Sequence, residues 1–247
     1  MKYQIDFGFP LELPAYLNLP SWHQAKHVLD LGSGDGYYAT KLATYFPDKC
    51  YTCVDIDQRA IDAGRKQFGG LQNNNIEYSR ADVLNYHGNF PIAIARLLVQ
   101  HLDTPQDLLR AAPNFLQPDG VLIVIDSDDR SRLFWPTEKC HRIERFFCSF
   151  SEFQPGREYS AKMVDIAPSY GFESKVHHLL LIPSSLPSYK NLFYRSYQLF
   201  FQIVREHYRM EFDYKSLFDE LDEWLADRSA YAHIGVKICI FAYGSSR

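Results

Sequence analysis

The stretch Val28-Leu29-Asp30-Leu31-Gly32-Ser33-Gly34-Asp35-Gly36 constrains this chain more than any other. An apolar, β-branched run ends in three closely spaced glycines, and a helix-forming run follows from Tyr37 to Tyr45 until Pro47 stops it. Glycines at such a junction let the backbone turn sharply and let a ligand approach the main chain. The helix beyond offers unpaired N–H groups and the positive end of its dipole. A strand–turn–helix with a ligand-accepting edge belongs in an open α/β sheet.

The rest of the first half has the same rhythm. Strands are expected at His27–Leu31, Cys50–Ile56, Ile76–Arg80, Pro91–Leu97 and Val121–Ile125, the fourth of them with few polar residues and so buried. Helices are expected at Tyr37–Tyr45, at Gln58–Gln67 with Gly69-Gly70 ending it, and from Thr104-Pro105, an N-cap followed by proline at the first helical position, to about Phe115. Pro118-Asp119-Gly120 reads as a turn. The alternation predicts a parallel sheet with helices on both faces. It then slackens: Ser131–Gly156 reads as helical or irregular, Tyr159–Tyr170 as a helix closed by Gly171, Lys175–Ile182 as a strand, Pro183–Ala232 as mostly helical and Gly235–Tyr243 as a final strand. With no repeat or low-complexity linker, the 247 residues read as one domain: an N-terminal segment 1–25, a ligand-binding half 26–130, and a second half 131–247 with a helical insert at about 183–232.

Two acids accompany the turn. Asp55 closes the second strand, where a carboxylate can accept both hydroxyls of a ribose, and Asp82 follows the third, where one can accept from an adenine amine. Ile56 and Val83 are then placed to sandwich a purine. Each acid alone reads as a solvated turn residue. Together they stand at the carboxyl ends of successive strands and line one crevice. The fingerprint of nicotinamide and flavin dinucleotides, G-x-G-x-x-G, fails here because its third glycine is Tyr37. Asp30, just before the turn, is awkward beside a pyrophosphate but suits the ammonium group of an amino acid.

In this combination the sequence resembles the class I S-adenosylmethionine-dependent methyltransferases. VLDLGSGDG is similar to their first motif, VDID to their second and ADVL to their third, with LLVQHL and PDGVLIVI similar to later segments; the likeness spans roughly Lys26 to Asp126. It implies a Rossmann-like seven-stranded sheet whose last strand, Gly235–Tyr243, is antiparallel, with the helical insert between the last two strands. It implies S-adenosyl-L-methionine as cofactor and S-adenosyl-L-homocysteine as product. Asp30, Gly32, Ser33 and Gly34 would hold the methionine end, Asp55 the ribose, and Asp82, Ile56 and Val83 the adenine. Arg96 would touch the cofactor through its backbone. The segment before the first strand is shorter than in many relatives.

The acceptor is less constrained. A formal net charge of −4 without a Lys/Arg run disfavours nucleic acid, because phosphate binding wants a dense basic face. No segment has the apolar length of a signal peptide or membrane span. Five cysteines without a disulfide spacing suit a reducing cytoplasm. Much of the aromatic content, 17 Tyr and 18 Phe in all, falls in the second half between Phe134 and Tyr214, which suggests a pocket for an aromatic or hydrophobic small molecule; core packing is the plainer alternative. His101, after the fourth strand, is the candidate general base, with helix capping as its structural alternative. Asp126 and Asp128 are second candidates, although Asp126-Ser127-Asp128-Asp129 reads first as a solvated turn. Tyr3 and Tyr16 could fold over the cofactor, with core packing the plainer role. Cys50-Tyr51-Thr52-Cys53 lacks the second pair that a zinc site needs, His177 and His178 alternate across a strand, and Cys140-His141 stands alone in a polar helix. No metal is expected. The leading reading is a small-molecule O- or N-methyltransferase. The alternatives are a tRNA or protein methyltransferase and a non-catalytic cofactor-binding protein.

Overall fold

The computed structural model describes residues 2–69, 75–153, 156, 159–184 and 187–244. The chain divides into two compact units. One, the sheet unit, comprises Leu13–Asp126, Glu158–His178 and Lys237–Arg247; the other, the helical unit, comprises Met1–Glu12, Ser127–Arg157 and Leu179–Val236.

The chain opens with α1 (Lys2–Leu17) and α2 (Pro20–Gln24). Neither was expected, because Pro10, Pro14 and Pro20 argue against helix in a sequence reading. Pro20 stands in the first turn of α2, where its missing N–H costs nothing. Then come β1 (His27–Leu31), α3 (Tyr37–Tyr45), β2 (Cys50–Asp55), α4 (Gln58–Phe68), β3 (Ile76–Arg80), β4 (Phe90–Arg96), α5 (Pro105–Ala111) and β5 (Leu116–Trp135). Boundaries across this half match the sequence reading to within a residue or two, except in α5 and β5. Helix α5 gives way to a 3-10 turn at Ala112–Asn114. The expected turn at Pro118-Asp119-Gly120 falls inside β5, where the register against β4 jumps from Phe90↔Leu116 to Ile92↔Val121 and Asp119 takes φ 62°. It is a bulge in a longer strand.

The second half holds α6 (His141–Phe153), α7 (Tyr159–Ile166), β6 (Phe172–Pro183), α8 (Pro187–Ile203), α9 (Tyr214–Ala226) and β7 (Tyr231–Tyr243). Gly171, at φ 80°, ends the 3-10 turn that extends α7, as its sequence position suggested. The seven strands are ordered β3-β2-β1-β4-β5-β7-β6. β1 through β5 pair in parallel. β6 and β7 are antiparallel: the N–H of Gly244 donates to Gly171 O at one end, and that of Ser184 to Ala232 O at the other. The fold is the expected Rossmann-like sheet, with its helical insert between the last two strands.

Strand alternation sorts the sheet unit into two faces. Leu29, Leu31, Val54, Ala93, Ala95, Leu122 and Val124 point to one and are wholly buried in a core with Leu108, Leu109, Met163 and Phe241. Lys49 ties α2 to the sheet: its ammonium donates to Trp22 O and Ala25 O at 2.7 Å each and lies 5.4 Å from the Trp22 ring centroid. These are C-terminal carbonyls of a short helix, which a cation satisfies well.

The helical unit has a core of rings. Phe146, Phe193 and Phe201 are completely buried and Phe147 and Phe150 nearly so, with the Phe146 and Phe201 centroids 4.7 Å apart. Phe147 carries the Arg132 guanidinium 3.4 Å from its centroid. The aromatic crowding of the second half is therefore core packing, the plainer of its two readings. Helix α6 is not polar, as its sequence suggested, but buries Ile143, Phe146, Phe147 and Phe150. No described helix is long and apolar enough to cross a membrane.

Candidate active site

The strand order reverses between β1 and β4, and the carboxyl ends of the strands at such a switch point are where open α/β sheets bind ligands. The glycine turn lies there. Gly32, Gly34 and Gly36 take φ of 65°, 57° and 72°. At Gly32 a methyl group would also meet Leu98 Cδ1 at 2.7 Å, so a side chain there would be strained in its backbone and would push Leu98 aside. The turn is fastened to β2: the N–H of Ser33 donates to Val54 O at 3.0 Å, and that of Gly34 to Asp55 Oδ2 at 2.8 Å. Asp55 Oδ1 accepts from the N–H of Asp57 at 2.9 Å. Each oxygen of Asp55 thus has one backbone donor and keeps a lone pair for another.

The sheet register places the charged groups. Residues paired across parallel strands share a face. Tyr78, Cys53, Asp30, Ile94 and Ile123 form one row across β3-β2-β1-β4-β5, and Arg80, Asp55, Arg96 and Ile125 stand in the row two residues further on. Asp30, Asp55 and Arg96 therefore share one face. Asp30 is only 2% exposed, and its Oδ2 makes no hydrogen bond among the described residues. Burial pushes its carboxyl up to about 7, with the Arg96 cation opposing the shift and the Asp55 charge adding to it. The Arg96 guanidinium lies 5.0 Å from the ring centroid of Tyr38 on α3, and the Tyr38 hydroxyl is 2.6 Å from that of Tyr16. Tyr16 and Tyr38 are both buried. Tyr16 is packed in the core, as its plainer reading held.

Asp82 caps the 3-10 turn Val83–Asn85, accepting from the N–H of Leu84 on Oδ1 at 3.0 Å and from Asn85 Nδ2 on Oδ2 at 2.8 Å. Ile56 is 65% exposed, unusual for isoleucine, whereas Val83 is packed into the sheet unit's core. His101 ends the 3-10 turn Val99–His101 and is exposed. Asp126, Ser127 and Asp128 lie within β5 and are buried, so the solvated turn expected of them is overturned. Cys50 is exposed and Cys53 buried, as three-residue spacing on a strand dictates. Sequence reasoning missed Tyr38, Tyr78 and the Arg96 side chain; the two-residue period of β4, which puts Arg96 on the face of Asp30 once the register is known, was the only signal for the last.

A glycine turn at the topological switch point, with Asp55 and Asp82 at the ends of the next two strands, defines a Rossmann-like α/β fold. Comparison with known proteins narrows that class. The family profile described as "Methyltransferase domain" matches residues 29–122. The ribosomal RNA small subunit methyltransferase G of Legionella pneumophila is 24% identical over 127 residues, which cover 51% of this chain and 59% of that protein. Among solved structures, a phosphoethanolamine N-methyltransferase of Haemonchus contortus in complex with S-adenosyl-L-methionine aligns with a TM-score of 0.53 at 17% identity, over 90% of this chain and 49% of that one. The [4+2]-cyclase SpnF aligns with a TM-score of 0.55 at 16% identity, over 90% of this chain and 76% of that one. Residues 29–122 therefore resemble a methyltransferase domain, and the sheet is of the kind its solved neighbours share.

Proposed function

We propose that this protein binds S-adenosyl-L-methionine and transfers its methyl group to an oxygen or nitrogen of a small molecule. The observation that carries the reading is the buried Asp30 carboxylate, two residues before the glycine turn, whose Oδ2 makes no hydrogen bond among the described residues. A buried charge of that kind costs stability unless something cationic meets it. The ammonium of an amino-acid moiety suits it. The lone pairs left on Asp55 suit two ribose hydroxyls, and the bare Ile56 side chain suits the face of a purine. Asp82 keeps acceptor capacity for an adenine amine beside its capping bonds, and Gly32, Ser33 and Gly34 give the methionine end close access to backbone.

When bound, the cofactor supplies an activated methyl group for in-line displacement. The chain's part is then mostly orientation, which supplies on the order of 7–11 kcal/mol in well-aligned reactions. His101 presents an exposed imidazole just past β4 and would take the proton of an acceptor hydroxyl on a ring nitrogen, help worth typically ~10²–10⁴-fold.

The formal charge of −4 supports a small acceptor over RNA. The ribosomal RNA methyltransferase among the relatives favours the opposite reading and gives it a place in the test. Thermal shift with S-adenosylmethionine, S-adenosylhomocysteine and NAD comes first; a hundredfold excess over Kd stabilises by about 2.7 kcal/mol. Stabilisation by the adenosyl ligands alone supports the cofactor assignment, and its absence removes it. Transfer of labelled methyl into a metabolite extract, but not into RNA, supports the acceptor class; label in RNA overturns it. His101→Ala is expected to slow transfer and spare cofactor affinity.

A further inference from the structure

We propose that the outer face of the three strand ends in the helical unit, those of β5, β6 and β7, packs against the same face of a second copy of this chain. The inference goes beyond the cofactor reading and does not depend on it.

Strand alternation gives these strand ends two unlike faces. On the inner one Phe134 of β5 is wholly buried, with its ring centroid 5.0 Å from that of Tyr197 and 5.4 Å from that of Trp224. Ala232 of β7 and Ser184, one residue past β6, are buried as well, and the N–H of Ser184 donates to Ala232 O. Residues an odd number of places away point outward: Trp135 on β5, Tyr231 on β7, and Leu179 and Leu181 on β6. All four are exposed, by 37–52%. The Trp135 and Tyr231 rings stack with centroids 6.2 Å apart. A methyl group at Gly235 would meet Ser131 Cβ at 2.7 Å, so 235 stands beside 131, 233 beside 133 and 231 beside 135. The half-buried Leu133 and His233 thus fill the row between the leucines and the stacked rings. Singly exposed apolar residues are ordinary, whereas a set gathered on one face marks an interaction surface.

Two observations favour a second copy as the occupant. The first is area. The four side chains offer on the order of 300–400 Å², and two such faces with their rims come to less than about 1,200 Å², the range of weak, reversible association. The second is charge. Lys139 Nζ bonds Asp227 Oδ2 at 2.8 Å, which ties the segment after Trp135 to the segment before Tyr231. Glu138 and Arg228 flank that bond, both are exposed, and neither is in an ion pair among the described residues. About a twofold axis near the Trp135–Tyr231 stack, Glu138 of one copy meets Arg228 of the other, twice over. The rings then lie at the centre, where binding energy concentrates. β6 is also the edge of the sheet, but pairing there would leave Trp135 and Tyr231 bare, since they stand on β5 and β7.

The test is sedimentation velocity of the intact chain from about 1 μM to a few hundred μM, where a monomer–dimer equilibrium is expected in the micromolar range. Leu181→Lys, which sets a charge from each copy into the dimer, should weaken it about tenfold or more, as should Trp135→Ala. Glu138→Arg should weaken it too, and Glu138→Arg with Arg228→Glu in one chain should restore the parent association. Melts of dilute Leu181→Lys and parent should coincide, which ties the loss to the interface; if the variant melts lower, the charge-swap pair, both at exposed positions, decides. A parent that is monomeric throughout, a dimer indifferent to Leu181→Lys and Trp135→Ala, or a double swap no better than the single one overturns the inference. So does a monomeric parent that co-sediments with vesicles of phosphatidylcholine and phosphatidylglycerol, which would give the face to a lipid surface.

Discussion

Asp55 holds the glycine turn before it holds any ligand, because its Oδ2 accepts the backbone N–H of Gly34 at 2.8 Å. With the Asp57 N–H on Oδ1, the carboxylate orders both its own loop and the turn on the neighbouring strand. Asp55→Ala is therefore expected to act twice. It should lower stability by about 1–3 kcal/mol in urea denaturation, since two N–H groups lose their acceptor. It should also weaken S-adenosylhomocysteine about tenfold or more, since the ribose loses its acceptor as well. Asp55→Asn keeps one acceptor oxygen and should recover part of the stability but little of the affinity. Unchanged affinity in both variants removes Asp55 from the cofactor site.

Tyr78 supports the far end of the same turn. A methyl group at Gly36 would meet its ring at 2.7 Å, and one at Gly64 would meet both the ring and the Asp35 carbonyl at 2.5 Å. Gly36→Ala is expected to cost about 1–3 kcal/mol, partly for the contact and partly for φ 72°, which a side chain resists. Replacing Tyr78 with leucine in the same chain should return the contact share and leave the backbone share. A double-mutant cycle should then give a coupling of about 1 kcal/mol. The cycle run with Gly64→Ala should show less coupling, because the Asp35 carbonyl remains in the way; equal coupling at both glycines would mean that Tyr78 is not the constraint.

The β-α alternation from β1 to β4 could be read from the sequence because β1, β2 and β4 are compact, largely apolar runs, and Gly32, Asp55 and Asp82 mark where the first three strands end. Three strands were read short, β5, β6 and β7, and run past their apolar centres through residues such as Asp126, Asp128, Glu173 and His233, where polarity suggested that the strand had ended. Burial of those aspartates depends on tertiary surroundings that no local window contains. Helix α1 was missed for a related reason: its prolines speak against helix locally, while Ile5, Phe7, Phe9 and Tyr16 are buried along it. In the site, the glycines and acids were legible because each ends a strand. Arg96 beside Asp30, and Tyr38 under Arg96, depend on the pairing register between strands far apart in sequence.

Glu220 shows a cap supplied from far along the chain. Its Oε1 accepts the backbone N–H groups of Arg142 and Ile143, in the first turn of α6, at 2.8 and 2.9 Å. These are among the donors that a helix leaves unsatisfied at its start, and the residue ahead of α6 is Cys140, a poor cap. Glu220 is only 7% exposed, so its removal leaves both donors without easy recourse to water. Glu220→Ala is expected to cost about 1–3 kcal/mol in thermal or urea unfolding. Glu220→Gln, which retains the acceptor and loses the charge favoured at a helix N-terminus, should cost less. A loss no smaller for glutamine than for alanine would show that the hydrogen bonds to α6 are not what Glu220 contributes.

Asp30 should make the ligand-free protein less stable as pH rises. Burial holds its carboxyl at about 7 in the folded chain, against an ordinary value of 3.8. Between those values the folded state binds the proton and the unfolded state has released it. The slope of stability with pH follows the unfolded minus the folded proton count, so it is negative in that window. Below about 4 Asp30 contributes no penalty, and above about 7 the penalty is complete, on the order of a few kcal/mol. Asp30→Asn removes the titration. It is expected to be more stable than the parent at pH 8, equal or slightly less stable at low pH, and much weaker in binding S-adenosylhomocysteine, because the amide offers the ammonium no charge. Urea melts of both proteins across the acid-to-neutral range test this directly. Parallel curves for parent and variant would show that Asp30 is ionised at an ordinary pH and that the folded chain already satisfies its charge.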